Sequence, residues 1–240
     1  MFKGFGIGVL SLVLAACGAP RPRPTAPQNP VESAAKAGST PSGRVYRVDE
    51  GQSELRVLVY RAGPLARFGH NHVMVNRSLS GTLELADTAV GSMFHLSVPA
   101  AGFVVDDAQA RREEGADFPG EIPDDAKSGT LQNMLSAAVL DADEFPQITV
   151  NGVAIPDAQG SPAAGALMAT VSINVAGHDS EIAAPFALQL DSHHLSATGS
   201  LELRQSALGL TPYSLMLGAL QVQDAMTIKF RIVADEQAGS

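Results

Sequence analysis

Two histidines stand one residue apart in the segment Phe68–His72, which reads Phe-Gly-His-Asn-His. On a β-strand, His70 and His72 would lie on the same face, because side chains alternate between the two faces. Paired imidazoles in that geometry are typical ligands of zinc, copper or iron. His70 and His72 are therefore a candidate metal site, although a pair of hydrogen-bonded polar residues near a barrel rim is the more usual arrangement.

A third metal ligand would have to come from the other histidines of the chain. His193 and His194 are adjacent and point to opposite faces, which allows only one of them to join. The sequence contains no Gly-x-Ser-x-Gly, no His-Glu-x-x-His and no phosphate-binding glycine-rich loop. We therefore expect a binding protein and not an enzyme. The candidates for a third ligand are His95, His178, His193 and His194.

Cys17 is the single cysteine of the chain and follows an uncharged run, Gly4–Ala16, which Lys3 precedes. That run is shorter than the roughly 20 residues needed to span a bilayer and fits the hydrophobic part of a signal peptide. The sequence Leu-Ala-Ala-Cys ending at Cys17 resembles the bacterial lipobox, whose cysteine becomes the acylated N-terminus. We predict a signal peptide over residues 1–16 and a lipid anchor on Cys17. Gly18 favours the outer membrane, so the expected location is the periplasmic side of the cell envelope.

Residues 17–43 show no apolar periodicity and carry six prolines between Pro20 and Pro41. Such a segment buries too little surface to offset its ordering entropy, so we expect a partly extended tether. The folded domain is predicted over residues 44–235. The chain has 25 acidic and 16 basic side chains, which makes it a poor partner for nucleic acid and for anionic lipid headgroups.

Alternating apolar and polar residues run through five segments of the domain. This period of two is typical of antiparallel strands with one buried face. Turn-forming residues separate the segments, among them Asn151-Gly152 and Asp157–Gly165. The pattern predicts an all-β fold and leaves a sandwich and a closed barrel open. The alternating segments are residues 53–60, 94–98, 167–175, 195–204 and 226–232.

Two stretches depart from this alternation. Apolar residues recur at helical spacing between Thr130 and Leu140, which predicts one short helix with Thr130 as its N-cap. Acidic residues cluster between Asp106 and Asp125, without the Asp-x-Asp-x-Asp-Gly spacing of a calcium loop. We expect this acidic stretch to be a solvated loop.

Short motifs occur in order along the domain: Tyr46–Asp49 with Ser53, Ala101–Asp106 with Arg111, Leu131-x-x-Met134-Leu135, Phe145–Ile148, and Gly199–Leu210. Their order and spacing resemble the YceI-like, lipocalin-type family over Tyr46–Val233. The Gly-His-x-His segment at His70 departs from the apolar stretch that many members have there.

The resemblance implies an extended antiparallel β-barrel of about eight strands with one short α-helix. It also implies a long apolar interior that binds a polyisoprenoid lipid, an isoprenoid quinone or another long amphiphile, with no cofactor required. A solid core built from the same residues is the alternative. The residues predicted to line the interior are Leu55, Val57, Phe94, Leu96, Met134, Phe145, Leu167, Val171, Phe186, Leu201 and Phe230.

Three functions remain open at this point. The first is a membrane-tethered carrier or scavenger of an isoprenoid-type amphiphile in the envelope. The second is a metal-dependent or redox function centred on His70 and His72. The third is a structural or stress-related envelope protein whose barrel is filled. The membrane, through Cys17, and an amphiphilic lipid are the expected partners.

Overall fold

Each alternating strand has one apolar face to bury, and the strands bury it by curling into a barrel. The computed structural model describes residues 43–156 and 166–237. The predicted signal peptide, Cys17 and the predicted tether lie outside the described residues, as does the turn predicted over Asp157–Gly165.

The described residues form twelve β-strands and two α-helices. The strands are β1 (Arg44–Val48), β2 (Glu54–Ala62), β3 (His72–Asn76), β4 (Ser80–Leu85), β5 (Met93–Pro99), β6 (Phe103–Val105), β7 (Gln147–Ile155), β8 (Ala166–Val175), β9 (His178–Leu190), β10 (His194–Arg204), β11 (Ser214–Leu215) and β12 (Leu220–Glu236). The helices are α1 (Ala108–Glu114) and α2 (Asp124–Leu135). Neither of these two helices is long and apolar enough to cross a membrane.

Eight of the strands form a closed antiparallel ring in the order β1, β4, β5, β7, β8, β9, β10, β12. The ring closes because the last residues of β12, Ala234–Glu236, pair with Tyr46–Val48 of β1. Nearer its start, the same edge of β12 pairs with β2, and β3 and β6 extend the sheet beyond β2. The predicted eight-stranded antiparallel barrel is confirmed, with additional strands.

The helical prediction is correct in kind but wrong in extent. Helix α2 begins at Asp124 with Pro123 as its N-cap, so Thr130 lies inside the helix and does not cap it. Proline is tolerated where a helix begins, and acidic residues in the first turn favour the positive end of the helix dipole. A second helix, α1, was not predicted; Asp107 caps it by accepting a hydrogen bond from the Ala110 amide at 2.9 Å.

The turn predicted at Asn151-Gly152 is also wrong, because both residues lie inside β7. Gly152 faces Phe94 of the neighbouring strand β5, and the phenylalanine ring occupies the space that a side chain at position 152 would need. Phe230 of β12 lies against Gly199 of β10 in the same way. Both glycines therefore make room for an aromatic ring inside the barrel and do not form turns.

Candidate functional site

The barrel encloses a cavity of about 370 Å³, referred to below as the large cavity. This volume falls within the range of about 300–1,000 Å³ that is usual for small-molecule sites. Apolar side chains of β2, β7, β8 and β12 form much of its wall, together with residues of β10, α2 and the neighbouring loops. Its polar side chains are Arg61, His70, His72, Thr130, Asn133, Gln205, Tyr213 and Gln221.

A second cavity of about 170 Å³, the small cavity, adjoins the first. Along β12 the lining passes from Met226 in the large cavity, through Ile228 in both, to Phe230 in the small one. The two cavities therefore follow one another along the barrel. Glu84 and Ser92 are the polar residues in the otherwise apolar lining of the small cavity. The residues that line both cavities form a waist between them: Leu55, Val150, Ile173, Leu203 and Ile228.

The two cavities together form a tunnel along the barrel, and most of its polar lining residues belong to the large cavity at one end. We call the end at Leu220, where β12 begins, the mouth end, because exposed residues such as His70 and Leu215 line the large cavity there. We call the end at Glu236, where β12 ends beside β1, the far end. The ionisable side chains lining the large cavity are Arg61, His70, His72 and Tyr213, so none of its lining residues is acidic.

Most of the residues predicted to line the interior border one of these cavities. Phe145 and Leu167 border neither. The ring of Phe145 lies against Gly177, outside both cavities, and Leu167 pairs with Phe186 near the start of β8. The bordering residues are Leu55, Val57 and Met134 in the large cavity and Leu55, Phe94, Leu96, Val171, Phe186, Leu201 and Phe230 in the small one.

His72 begins strand β3 and is held by a buried carboxylate. Its Nδ1 lies 2.6 Å from Oδ2 of Asp106. The other carboxylate oxygen, Oδ1, accepts hydrogen bonds from the Val73 amide at 3.0 Å and from Arg111 Nη1 at 2.6 Å. Asp106 and Arg111 are both buried. The expectation of a solvated loop at Asp106 is therefore wrong, because this carboxylate is the centre of a buried network.

The network keeps Asp106 ionised. Burial by itself would raise the pKa of the Asp106 carboxyl, but hydrogen bonds from His72 and the Val73 amide, together with Arg111, hold the pKa below its ordinary 3.8. An ionised carboxylate only accepts hydrogen bonds, so the proton of the neutral imidazole is on Nδ1 of His72. Nε2 is then the nitrogen available to a ligand, and it has no hydrogen-bond partner within residues 43–156 and 166–237.

His70 and His72 both line the large cavity, but they are not two positions of one strand. The segment Ala66–Phe68 forms a short 3-10 turn, and β3 begins only at His72. The two ring centroids are 6.2 Å apart, edge to face. The expectation that both lie on one face of a strand is therefore wrong, because the turn ends too close to His70 for a strand to include it.

The other histidines lie apart from this pair. Nδ1 of His95 bonds to Asn151, that of His193 to Glu236 and that of His194 to Asp235, while His178 packs against Gly209. Over the described ranges, no group of three or more His, Cys, Asp or Glu side chains is placed to hold a metal ion. A metal at His70 and His72 stays a prediction.

Sequence reasoning missed two features of the large cavity. Arg61, at the end of β2, lines the cavity and donates from Nη1 to the Gly69 carbonyl at 2.7 Å. The sequence placed Asp106 at the end of a family-like motif and at the start of an acidic stretch, and did not pair it with His72. The available signal was its position directly after the apolar run Phe103–Val105, because a residue that follows a buried strand lies beside the core.

The profile of a family described as a YceI-like domain matches residues 46–234. Two solved structures are similar in fold. BcnA of Burkholderia cenocepacia has a TM-score of 0.56 at 15% identity, covering 78% of this chain and 98% of BcnA. A polyisoprenoid binding domain from Saccharophagus degradans, implicated in plant cell wall breakdown, has a TM-score of 0.52 at 13% identity, covering 80% and 98%. No curated protein sequence matches the chain.

Proposed function

Because this chain belongs to the YceI-like domain family, we propose that it binds an isoprenoid-type lipid, a quinone or a similar amphiphile inside its barrel. One observation carries the proposal: two adjoining cavities run along the barrel, apolar over most of their length, with polar groups gathered at one end. An amphiphile has the same division between a long tail and a short polar head.

The tail fits the apolar part of the tunnel. It would run from the large cavity past the waist into the small cavity, beside Phe94, Phe186 and Phe230. Removing a hydrocarbon tail from water yields about 25 cal/mol for each Å² of apolar surface. Such a wall is tolerant of tail chemistry, since dispersion and water exclusion are not directional.

The head group fits the mouth end. Among the polar groups of the large cavity, the guanidinium of Arg61 can donate a hydrogen bond to an oxygen of a quinone, alcohol or phosphate head. Nε2 of His72, which carries no proton in the neutral ring, can accept a hydrogen bond from an alcohol head. Because Asp106 fixes the ring of His72 from the other side, the imidazole is oriented before the ligand arrives. A preorganised hydrogen-bonding group costs less entropy on binding than a mobile one.

The structural relative from Saccharophagus degradans is a polyisoprenoid binding domain. At 13% identity its likeness to this chain extends to the fold, so the ligand class proposed here rests on the cavities and on family membership. We further propose that the protein is an envelope carrier or scavenger, exported and anchored through Cys17. The proposed export and the proposed anchor rest on the sequence at Gly4–Cys17 alone.

The waist offers a test with a matched pair of variants. Val150 faces the tunnel at the waist, whereas Val153 of the same strand is 41% exposed on the outside. Protein stripped of ligand would be incubated with prenols of increasing length or with a long-tailed quinone, and uptake measured by native mass spectrometry. Wild type and Val153→Phe should bind one molecule, and Val150→Phe should lose roughly tenfold or more in affinity for the long tails. No uptake by the wild type, or equal uptake by both variants, would contradict the proposal.

A metal-dependent function at His70 and His72 is a second candidate, favoured by a single observation. Histidines that bind a metal commonly donate their other ring nitrogen to a carboxylate, as His72 does to Asp106. Metal analysis of the wild type and of His70→Ala/His72→Ala tests this candidate. A metal-dependent function requires stoichiometric metal in the wild type and its loss in the variant. Equal, substoichiometric metal in both proteins would rule that function out.

A further inference from the structure

Three large apolar side chains at the mouth end are exposed to solvent. Phe68 is 66% exposed, Met216 72% and Leu217 fully exposed, the highest values among the large hydrophobic residues that the structure describes. They belong to two neighbouring loops, Gly63–Asn71 and Tyr213–Ala219, joined by the hydrogen bond from the Leu65 amide to the Ala219 carbonyl at 2.8 Å. We call these three residues the rim.

The two loops that carry the rim also contribute to the wall of the large cavity. Gly69 and His70 of the first loop line that cavity, as do Tyr213 and Leu215 of the second. Leu215 is itself exposed as well as cavity-lining. The exposed apolar side chains of the rim therefore stand on the same loops that line the apolar cavity, and exposed apolar surface of this kind is typical of docking sites.

The backbone holds the rim outward at a cost. Met216 and Leu217 have φ values of 51° and 57°, in the left-handed region that favours glycine. Gly218 follows directly, with a φ of 89°. Two consecutive large residues in this strained conformation cost free energy, and backbone strain of this kind clusters at sites that bind a partner.

Charge near the rim differs from the rest of the chain. Acidic residues outnumber basic ones by 25 to 16 overall, yet residues 61–72 contain Arg61 and Arg67 and no acid, and residues 213–223 contain no charged residue. The guanidinium of Arg67 lies 4.7 Å from the ring centroid of Phe68. Aromatic and aliphatic tips beside arginine are typical of segments that enter the membrane interface, where apolar groups meet acyl chains and cations meet phosphates.

We infer that the rim docks on a phospholipid bilayer, inserting Phe68, Met216 and Leu217 at the interface so that the large cavity opens toward the acyl chains. An amphiphile could then pass between bilayer and barrel without crossing water. That route for the ligand rests on the proposed function, whereas docking itself does not. The net negative charge of the chain opposes anionic membranes, so apolar insertion and not charge provides most of the attraction.

The chain leading to the proposed anchor leaves the barrel at the other end. Arg44–Val48 pairs with the last residues of β12, whereas the rim lies beside Leu220 at its start. The 17 residues of β12 span about 55 Å at about 3.3 Å per residue. Cys17 and Gly43 are 26 positions apart, and a tether as extended as its prolines predict, at about 3 Å per residue, would reach about 80 Å. The chain is therefore long enough for a lipid on Cys17 and the rim to meet the same membrane.

A single tryptophan can report insertion, because the chain has none. We would place it at Leu217, in a chain that begins at residue 17 and carries Cys17→Ser, so that neither the predicted signal peptide nor an acyl chain contributes. The matched control is tryptophan at Leu190, an exposed leucine at the far end, at the end of β9. On phosphatidylcholine vesicles, Leu217→Trp emission should shift to the blue and be quenched by brominated acyl chains, and Leu190→Trp emission should not. Identical, unquenched emission from both would overturn the proposal.

A charge at the same position gives a second, independent measurement. In the Cys17→Ser chain, Leu217→Asp should weaken partition to phosphatidylcholine vesicles by about tenfold or more, and Leu190→Asp should leave it unchanged. Equal partition of the two variants would contradict insertion of the rim. Amphiphile uptake in detergent, measured on the same proteins, should be unaffected by Leu217→Asp. Failed uptake with intact vesicle binding would refute the proposed function alone, and intact uptake without vesicle binding would refute docking alone.

Discussion

The mouth end and the far end of the barrel each carry a histidine bonded to an aspartate. The two Nδ1···O distances are both 2.6 Å, for His72 with Asp106 and for His194 with Asp235. Asp106 is completely buried and also bound to Arg111, whereas His194 and Asp235 are both about half exposed. The two His–Asp pairs therefore have the same hydrogen-bond length and differ in how deeply they are buried.

Burial changes what each pair does. At the far end, water screens the charges and either partner can be solvated if the other is removed, so the pair contributes little to stability. At the mouth end, the loss of one partner leaves a charge in the interior with no compensation. The same contrast holds for the cavities: the mouth end has basic side chains around its opening, and the small cavity toward the far end is nearly all apolar.

The largest expected effect comes from Asp106→Ala. The substitution leaves the buried guanidinium of Arg111 without its carboxylate and should lower the free energy of unfolding by about 3–5 kcal/mol. Asp235→Ala at the far end is the control and should cost less than about 1 kcal/mol. Urea denaturation of both variants measures the difference. Equal unfolding midpoints would mean that burial does not distinguish the two pairs.

A smaller effect is expected in the wall of the small cavity. Gly152→Ala places a methyl group where the Phe94 ring lies and pushes the ring into the cavity. Overpacking of this kind costs about 1–3 kcal/mol, and binding of the longest tails should weaken as well. Gly129→Ala is the control, because nothing lies within 4 Å of its new Cβ in α2, and it should stabilise by up to about 1 kcal/mol. Thermal unfolding that ranks the two variants the other way would contradict the packing described for Phe94.

The smallest effect is the pH dependence of the far-end pair. The hydrogen bond to Asp235 raises the pKa of His194 above its ordinary 6.5. A raised folded pKa means that the stabilisation is present below 6.5 and is lost as the pH rises through the folded value. The unfolding midpoints of wild type and His194→Gln should therefore differ at pH values below 6.5 and converge above the pKa of His194 in the folded protein. Asp235→Asn should behave like His194→Gln. Parallel curves at every pH would contradict the assignment.

Asp106 should respond in the opposite direction. Its pKa is lowered in the folded protein, so its contribution to stability is present above the ordinary 3.8 and is lost as the pH falls through the folded value. Acid unfolding of the wild type should therefore steepen below about pH 4, and Asp106→Asn should lack that component. An unchanged acid profile in the variant would show that other carboxylates determine acid unfolding.

The alternation of apolar residues was sufficient to predict the β-fold. Its period of two is local, so segments such as residues 195–204 could be assigned from their own sequence. Features that depend on distant residues could not. Asn151-Gly152 has the composition of a turn, but Phe94 on the next strand needs the space above Gly152 and keeps the segment in β7. Tertiary packing decided between two local possibilities.

In the candidate site, too, the features that follow from local sequence could be predicted and those that depend on distant residues could not. The inward-facing residues of the strands follow from the alternation, and most of the predicted lining positions border a cavity. The partner of His72 could not be deduced, because Asp106 lies 34 positions away in a stretch whose acidity suggested solvent exposure. Arg61 was missed for a similar reason: it ends a strand as an ordinary polar residue, and only the closed barrel brings it to the cavity.

Occupation of the tunnel by one amphiphile is tested most directly by the mass of the protein purified from its own cells. The acyl chains predicted on Cys17 would be covalent and would remain after denaturation, whereas a ligand in the barrel would leave. We predict that the native mass exceeds the denatured mass by one isoprenoid-type amphiphile, which can be extracted and identified. Equal native and denatured masses, with no amphiphile taken up afterwards, would contradict the account.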